Sequence, residues 1–402
     1  MDRRSFIKAT SLLPFAAGAT VAPPFDVRGR HRARDLGVRI GRLATGPLNA
    51  ITDVAGVEVG QVTLVEGNGP LRVGSGPVRT GITTIWPRRD IGDRFLCCGS
   101  HAPNGNGEVT GLLETGSLGV ITTPLCTTNT SSVGMVYDAV QSLATPDDLP
   151  AGVPVVGETW DAWLNDIEGR HVRRQHVLRA LEEARGGPVA EGNVGGGTGM
   201  ICYGFKGGIG TSSRTARIGN DKWTVGALVQ ANHGSRERVR FTVDNVPVGE
   251  ALAGYESELE GAAPFNSIIM VLATDAPLLS YQLNRLARRA VHGLARTGSL
   301  SANSSGDFAI AFSTANPVPR EQFWRGAART LAYLDQSDIE PMFEAAAEAV
   351  EEAILNALFM ADDMQGRDGN LVRALPLQRT LQLLHEHGRL NRDTGGTADV
   401  AL

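Results

Sequence analysis

The stretch Pro264-Phe265-Asn266-Ser267-Ile268-Ile269-Met270-Val271-Leu272-Ala273-Thr274 decides how this chain is read. Its apolar residues run without a break from Ile268 to Ala273. A strand with one wet face alternates, whereas a short unbroken apolar run between turn residues reads as a strand covered on both faces. Asp275-Ala276-Pro277 stops the run, and Gly261, Pro264 and Asn266 mark an irregular segment ahead of it. Ser267 therefore opens a buried strand directly after a connector. A cut between Asn266 and Ser267 would leave a new N-terminal serine pinned in a core. That serine would carry a nucleophilic hydroxyl and its own base, an α-amine with an unperturbed pKa of about 7.7–8.0. Alone, a serine opening a strand is more often an ordinary strand residue, so the case rests on the rest of the chain.

Around this stretch lie 402 residues, 42% apolar and 20% charged, enough to bury a large core. Length alone suggests two or three domains, although large layered sheets often run longer as one unit. A formal net charge of −5 and no Lys/Arg cluster in the body argue against nucleic acid. The 49 glycines gather around short apolar runs, which suits a sheet protein with tight turns and close backbone contacts.

The start of the chain reads as an address. Met1-Asp2-Arg3-Arg4-Ser5-Phe6-Ile7-Lys8 is followed by a weakly apolar stretch from Ala9 to Ala22, with small residues near Ala17-Gly18-Ala19. This looks like a twin-arginine export signal over residues 1–22, which implies a periplasmic protein. No segment offers the ~18 uninterrupted apolar residues of a membrane span, so no membrane association is expected after export. Cys97, Cys98, Cys126 and Cys202 form neither a disulfide framework nor a zinc spacing, and each sits among apolar or small residues. Buried free thiols are expected.

Strands are expected at Val57–Leu64, Gly81–Trp86, Phe95–Cys98, Val120–Leu125, Val155–Trp160, Trp223–Ala231 and Phe308–Ser313. Gly99 to Gly107 reads as a loop. Helices are expected at Ser131–Ala144, capped by Ser131 or Ser132, and at Glu168–Arg185, Leu278–Arg296, Ile339–Phe359 and Leu377–Glu386. The polar stretch from Val246 to Asn266 has the look of a linker. Strands come in clusters without strict alternation with helices, which points to an α+β layered sandwich of two packed sheets with helices outside. A doubly wound parallel sheet is the alternative.

The glycine-rich stretch from Gly192 to Ser213 invites a phosphate-binding reading, which fails on spacing. Gly208-Ile209-Gly210-Thr211-Ser212-Ser213 lacks the third glycine of a dinucleotide fingerprint, and Lys206 is not followed by Ser or Thr. Backbone passing close to backbone around a packed site explains these glycines better. No Gly-x-Ser-x-Gly elbow exists, and His171, His176, His292, His385 and His387 read as surface or structural histidines. There is no His-Glu-x-x-His or other metal spacing, so neither a metal nor a cofactor is expected. A hydrolase without a credible histidine base draws attention to a serine that supplies its own amine.

Three other places fit that idea. Asn303-Ser304-Ser305-Gly306-Asp307-Phe308 puts a hydroxyl and a carboxylate two residues apart before a buried strand, a pair able to relay hydrogen bonds and hold an ammonium. An ordinary Ser/Gly/Asp turn would look the same. Gln230-Ala231-Asn232-His233-Gly234 ends a strand with an amide that can donate to an oxyanion, or simply form a turn. Glu158-Thr159-Trp160 offers a carboxylate for a substrate amine and an aromatic wall, or a surface acid beside a core tryptophan.

Taken together, these residues resemble the self-processing aminopeptidases that include the L-aminopeptidase/D-alanine esterase-amidases and the β-peptidyl aminopeptidases. The resemblance runs from about Asn49 to His387. It is carried by Gly195-Gly196-Gly197-Thr198-Gly199-Met200, Lys206-Gly207-Gly208-Ile209-Gly210-Thr211-Ser212, Leu228-Val229-Gln230-Ala231-Asn232, Asn266-Ser267 and Ser305-Gly306-Asp307. It implies a four-layer αββα sandwich of the N-terminal-nucleophile kind. It also implies autocleavage at Asn266–Ser267 into halves 23–266 and 267–402 of one domain, assembled as (αβ)4. Ser267 would be the nucleophile and its α-amine the base, with Ser305 and Asp307 as supporting relay and Asn232 as oxyanion donor. Glu158 would take the ammonium of a small peptide or amino-acid amide. Trp160, where the D-alanine-esterase branch has Tyr, resembles the β-aminopeptidase branch and favours β-amino-acid N-termini. The rivals are an acyl transferase resembling ornithine acetyltransferase, disfavoured by a serine nucleophile and an export signal, and a non-enzymatic periplasmic binding protein.

Overall fold

The computed structural model describes residues 25, 27–143, 152–234, 240–255, 257, 259, 266–325 and 328–390. The expected export signal and the Gly261–Pro264 part of the connector lie outside these residues.

Two sheets are stacked face to face. The smaller is built from β1 (Glu58–Glu66), β2 (Val78–Trp86), β4 (Leu125–Asn129) and β5 (Val155–Thr159), in that order across the sheet. The larger contains β3 (Arg94–Gly105), β6 (Gly208–Ile218), β7 (Asp221–Asn232), β8 (Asn266–Thr274) and β9 (Ser305–Ser313), ordered β3-β9-β8-β7-β6 with Val318–Pro319 at the β3 edge. α1 (Val133–Gln141) and α2 (Arg174–Glu182) cover the small sheet, where Val136, Val140, Val177 and Leu181 meet Val62, Ile82 and Val156. α3 (Ser280–Arg296) and α4 (Glu340–Phe359) cover the large one. The result is the αββα sandwich expected from the sequence.

The unbroken apolar run of β8 is explained by its position. Ile268, Met270 and Leu272 belong to the core shared with α3 and α4. Ile269, Val271 and Ala273 belong to the core between the sheets, with Phe308, Ile310, Leu228, Leu125 and Val155. Alternate side chains point to opposite faces, and here both faces are dry. β8 pairs parallel to β9 and antiparallel to β7. The large sheet interleaves strands from both sides of Asn266–Ser267, because β7 flanks β8 and β3 flanks β9. A cut there would leave the two pieces joined through the sheet ladders.

Several expectations need correction. β3 continues through the segment read as a loop, because Gly99, Ser100, His101 and Asn104 pair with β9. The long helix expected from Glu168 begins only at Arg174, since Arg170 adopts a left-handed φ of 51° and ends a short 3-10 turn. α1 starts at Val133 without a side-chain cap from Ser132. Part of the supposed linker is structured: Val248–Ala251 forms a helical turn, with Val246, Val248 and Leu252 buried. All four cysteines are buried and free, as expected. Among the described residues no helix is long and apolar enough to cross a membrane.

Candidate active site

The site gathers where β7, β8 and β9 end or begin at one edge of the sandwich. Ser267 stands opposite Asn232 on β7 and opposite Gly306 on β9. By strand alternation Ser267 and Asn232 share the face of Ile269, Gln230 and Leu228, which looks toward the small sheet. Directly opposed side chains on one face of an antiparallel pair have Cβ atoms about 4.5–5.5 Å apart. Register therefore places the Cβ atoms of Asn232 and Ser267 side by side.

Ser267 is 5% exposed, and its hydroxyl sits on the bond that precedes it. Oγ donates to the carbonyl oxygen of Asn266 at 2.7 Å and accepts from the Gly306 N–H at 3.3 Å. Asn266 and Ile268 occupy the other face, level with Ser305 and Asp307. There Ser305 Oγ donates to Asp307 Oδ1 at 2.5 Å, with both residues fully buried. The Asn266–Ser267 peptide thus has the hydroxyl and Asn232 on one side and the Ser305–Asp307 pair on the other.

Two glycines let the carboxylate of Glu158 come close. A methyl group on Gly306 would lie 2.7 Å from the Asn106 carbonyl oxygen, and one on Gly107 would lie 2.9 Å from Glu158 Oε1 and 3.4 Å from Gly306 Cα. Only a bare backbone permits strand β9, the 105–108 turn and Glu158 to meet there. Glu158 Oε1 accepts from the Glu108 N–H at 3.0 Å, and Oε2 accepts from the Thr130 hydroxyl. Burial pushes the Glu158 pKa above the usual carboxylate range, opposed by these two donors. A cationic partner in this position would restore the charged form.

Asn232 is clamped at both ends of its amide. Oδ1 accepts from the Ile201 N–H at 2.8 Å and Nδ2 donates to the Trp160 carbonyl at 3.0 Å. Trp160, one residue after β5, is half-buried and enters this clamp through its backbone carbonyl. His233 is fully buried and its pKa is pushed down to about 3 by burial, so it is a poor base at neutral pH. His171 pairs with Asp166 at 2.8 Å in a structural role. Among the described residues no group of three or more His, Cys, Asp and Glu side chains is placed to hold a metal ion.

All seven residues singled out from the sequence converge here: Ser267, Asn266, Asn232, Ser305, Asp307, Glu158 and Trp160. Thr130, Glu108 and Gly107 were not singled out. The signal for Thr130 was the run Thr127-Thr128-Asn129-Thr130, polar residues inside an otherwise buried strand end. The glycine-rich stretch acts as backbone against backbone, as expected: a methyl on Gly197 would lie 2.4 Å from Ile209 N.

The chain is similar to known proteins along most of its length. The model of peptidase family S58 matches residues 49–372. The chain is 46% identical over 388 residues to the beta-peptidyl aminopeptidase BapA of Sphingosinicella microcystinivorans, covering 93% of this chain and 96% of that protein. It is 41% identical over 391 residues to the BapA of Sphingosinicella xenopeptidilytica, covering 93% and 94% respectively. Among solved structures, the Burkholderia sp. beta-aminopeptidase superposes with a TM-score of 0.80 at 47% identity, over 89% of this chain and 99% of that one. The L-aminopeptidase D-Ala-esterase/amidase of Ochrobactrum anthropi, described as a variant of the Ntn hydrolase fold, superposes with a TM-score of 0.82 at 43% identity, over 90% and 99%. A family match over most of the chain, with close relatives along nearly its full length, means that this protein belongs to peptidase family S58.

Proposed function

We propose that the protein is a β-aminopeptidase that makes its own nucleophile. The observation that carries this is the Ser267 hydroxyl, buried at a strand start, bonded to the Asn266 carbonyl and facing an immobilised amide. In the maturation step Oγ attacks the Asn266 carbonyl carbon, and the Ser267 nitrogen leaves with a proton. The resulting ester is hydrolysed by water to an Asn266 carboxylate and a free Ser267 amine. That amine then serves as the general base in turnover.

In turnover the substrate's N-terminal ammonium binds the Glu158 carboxylate, which places the first amide carbonyl at Ser267. Oγ adds to the carbonyl carbon as the α-amine takes its proton. The Asn232 Nδ2–H stabilises the oxyanion. The amine leaves with a proton from the same group, and water releases the acyl chain. Ser305 and Asp307 hold the amine and orient it. Requiring a free ammonium restricts cleavage to the bond after the first residue.

The BapA relatives, the Burkholderia structure and Trp160 support a β-amino-acid N-terminus. The Ochrobactrum structure supports the second reading, an L-aminopeptidase with D-amino-acid esterase and amidase activity. Kinetics on β-homoalanyl, L-alanyl and D-alanyl p-nitroanilides separate them: kcat/KM highest for the β-substrate is expected, and a D-alanyl preference would reverse the assignment. We further propose that residues 1–22 direct export to the periplasm and that the cleaved halves assemble as (αβ)4. Cell fractionation and light scattering test these two statements, and a cytoplasmic pool or a lone αβ unit would contradict them.

A further inference from the structure

Lys206 has no part in the chemistry above and is the most buried cation near it. Its side chain is fully enclosed, and Nζ donates to three backbone carbonyls, those of Met200 at 2.7 Å, Gly207 at 2.8 Å and Gly197 at 3.2 Å. Burial pulls the Lys206 pKa down to about 7, opposed by Cys202 and Asp161 within electrostatic reach, and among the described residues no carboxylate forms a salt bridge with it. Burying an ammonium is costly unless its hydrogens are all satisfied. Here all three are used, and all on one loop.

That loop is the glycine-rich segment beside Asn232. The Met200 carbonyl held by Lys206 and the Ile201 N–H that bonds Asn232 Oδ1 belong to the same peptide plane. The chain of contacts runs from ammonium to Met200 carbonyl, through the peptide to the Ile201 N–H, to Asn232 Oδ1, and out through Nδ2. A cation on a carbonyl polarises its peptide and strengthens the N–H on the other side, and chains of hydrogen bonds reinforce one another. The turn that returns the loop to Lys206 passes through Tyr203 and Gly204, both at positive φ, and Tyr203 N–H bonds the His233 carbonyl next to Asn232.

We propose that Lys206 is a positioning residue for the oxyanion donor. Through the Met200–Ile201 peptide it fixes the plane of the Asn232 amide and transmits positive charge to Nδ2–H. The inference rests on the reading of Asn232 as oxyanion donor. It makes the glycine-rich segment part of the catalytic apparatus, reaching the reacting atoms through one peptide plane.

A double-mutant cycle tests it. Rates are taken per mature active site, counted from the yield of the chain that begins at Ser267. Lys206→Met is expected to lower kcat about 10²-fold with KM nearly unchanged, the size of loss that slight misplacement of a catalytic group causes. Asn232→Ala is expected to lower kcat about 10²–10³-fold. The double variant is expected to be no slower than Asn232→Ala alone, because Lys206 acts only through that amide. Lys206→Gln, which keeps N–H donors for the carbonyls without the charge, is expected to fall between wild type and Lys206→Met. It replaces Lys206→Met in the cycle if the latter does not fold. Full kcat in Asn232→Ala would overturn the oxyanion reading itself. A loss in Asn232→Ala with wild-type kcat in the Lys206 variants, or effects that multiply in the double variant, would overturn the role of Lys206 alone.

Discussion

Two buried polar assemblies lie on the large sheet, and they are built on opposite plans. At one, Arg214 is enclosed against α4 and spends its guanidinium on Glu348 at 3.0 Å, Glu352 at 2.5 Å and the carbonyls of Ser213 and Ile40. Glu352 also accepts from Arg34 and Asn49, and Glu348 accepts from the N–H groups of Arg42 and Leu43. Charge meets charge, and each partner is a fixed neighbour. At the other, the Ser267 hydroxyl leans on the carbonyl of its own preceding residue, Asn232 is held by its outer atoms, and the buried Glu158 has no cation in contact among the described residues. The first assembly is closed on itself and holds α4 to β6. The second is open toward the Asn266–Ser267 bond. Buried polar groups that are fully paired stabilise a fold, while those arranged around a reacting bond are the ones that do chemistry.

Substitutions separate the two plans. Ser267→Ala should leave the chain folded and uncut, with activity reduced about 10⁶-fold, the loss typical of removing a nucleophile. Circular dichroism, a denaturing gel and p-nitroanilide turnover read the three effects. Residual turnover near wild type would remove Ser267 from the open assembly.

Arg214→Met should do the reverse. It strands buried carboxylates and should destabilise the fold by about 3–5 kcal/mol, measured as a shift in the urea midpoint. The fraction that stays folded should still cut itself. Unchanged stability would show that the closed assembly is dispensable.

Asp307→Asn weakens the acceptor for the Ser305 hydroxyl and should lower kcat about 10²-fold, the low end for a group that helps move a proton. Stopped assays with KM determined separately check this, and a change confined to KM would place the pair in substrate binding instead.

The smallest effects concern Glu158. On the proposed role of Glu158, protonation of its carboxyl would compete with the substrate ammonium, so KM should rise as pH falls through the raised Glu158 pKa, earlier than an ordinary glutamate would require. Thr130→Val removes a donor that lowers that pKa. It should raise KM about fivefold and move the acid limb of the KM profile to higher pH. A limb that stays in place would detach Thr130 from Glu158.

The sequence was most informative where one residue type decides the physics. The apolar run after Ser267 specified a two-sided core, and β8 has one on each face. Arg214 shows the opposite case: nothing in Gly210-Thr211-Ser212-Ser213-Arg214 reveals that its partners wait more than a hundred residues away on α4. Gly99-Ser100-His101 has loop composition, which argues for a shorter β3, yet the ladder with β9 supplies the hydrogen bonds that hold it extended. Arg170 broke an expected helix through a left-handed φ that composition does not announce. Within the site, the side chains proposed to touch reacting atoms stand out by type, while Thr130 and Lys206 would act through what they hold.

The central claim is that the open assembly cuts its own chain before Ser267. N-terminal sequencing of the purified, active protein measures this directly. A polypeptide that begins Ser267-Ile268-Ile269-Met270 is expected, in equal amount to the fragment that precedes it. A fully active preparation containing only the uncut chain would contradict it.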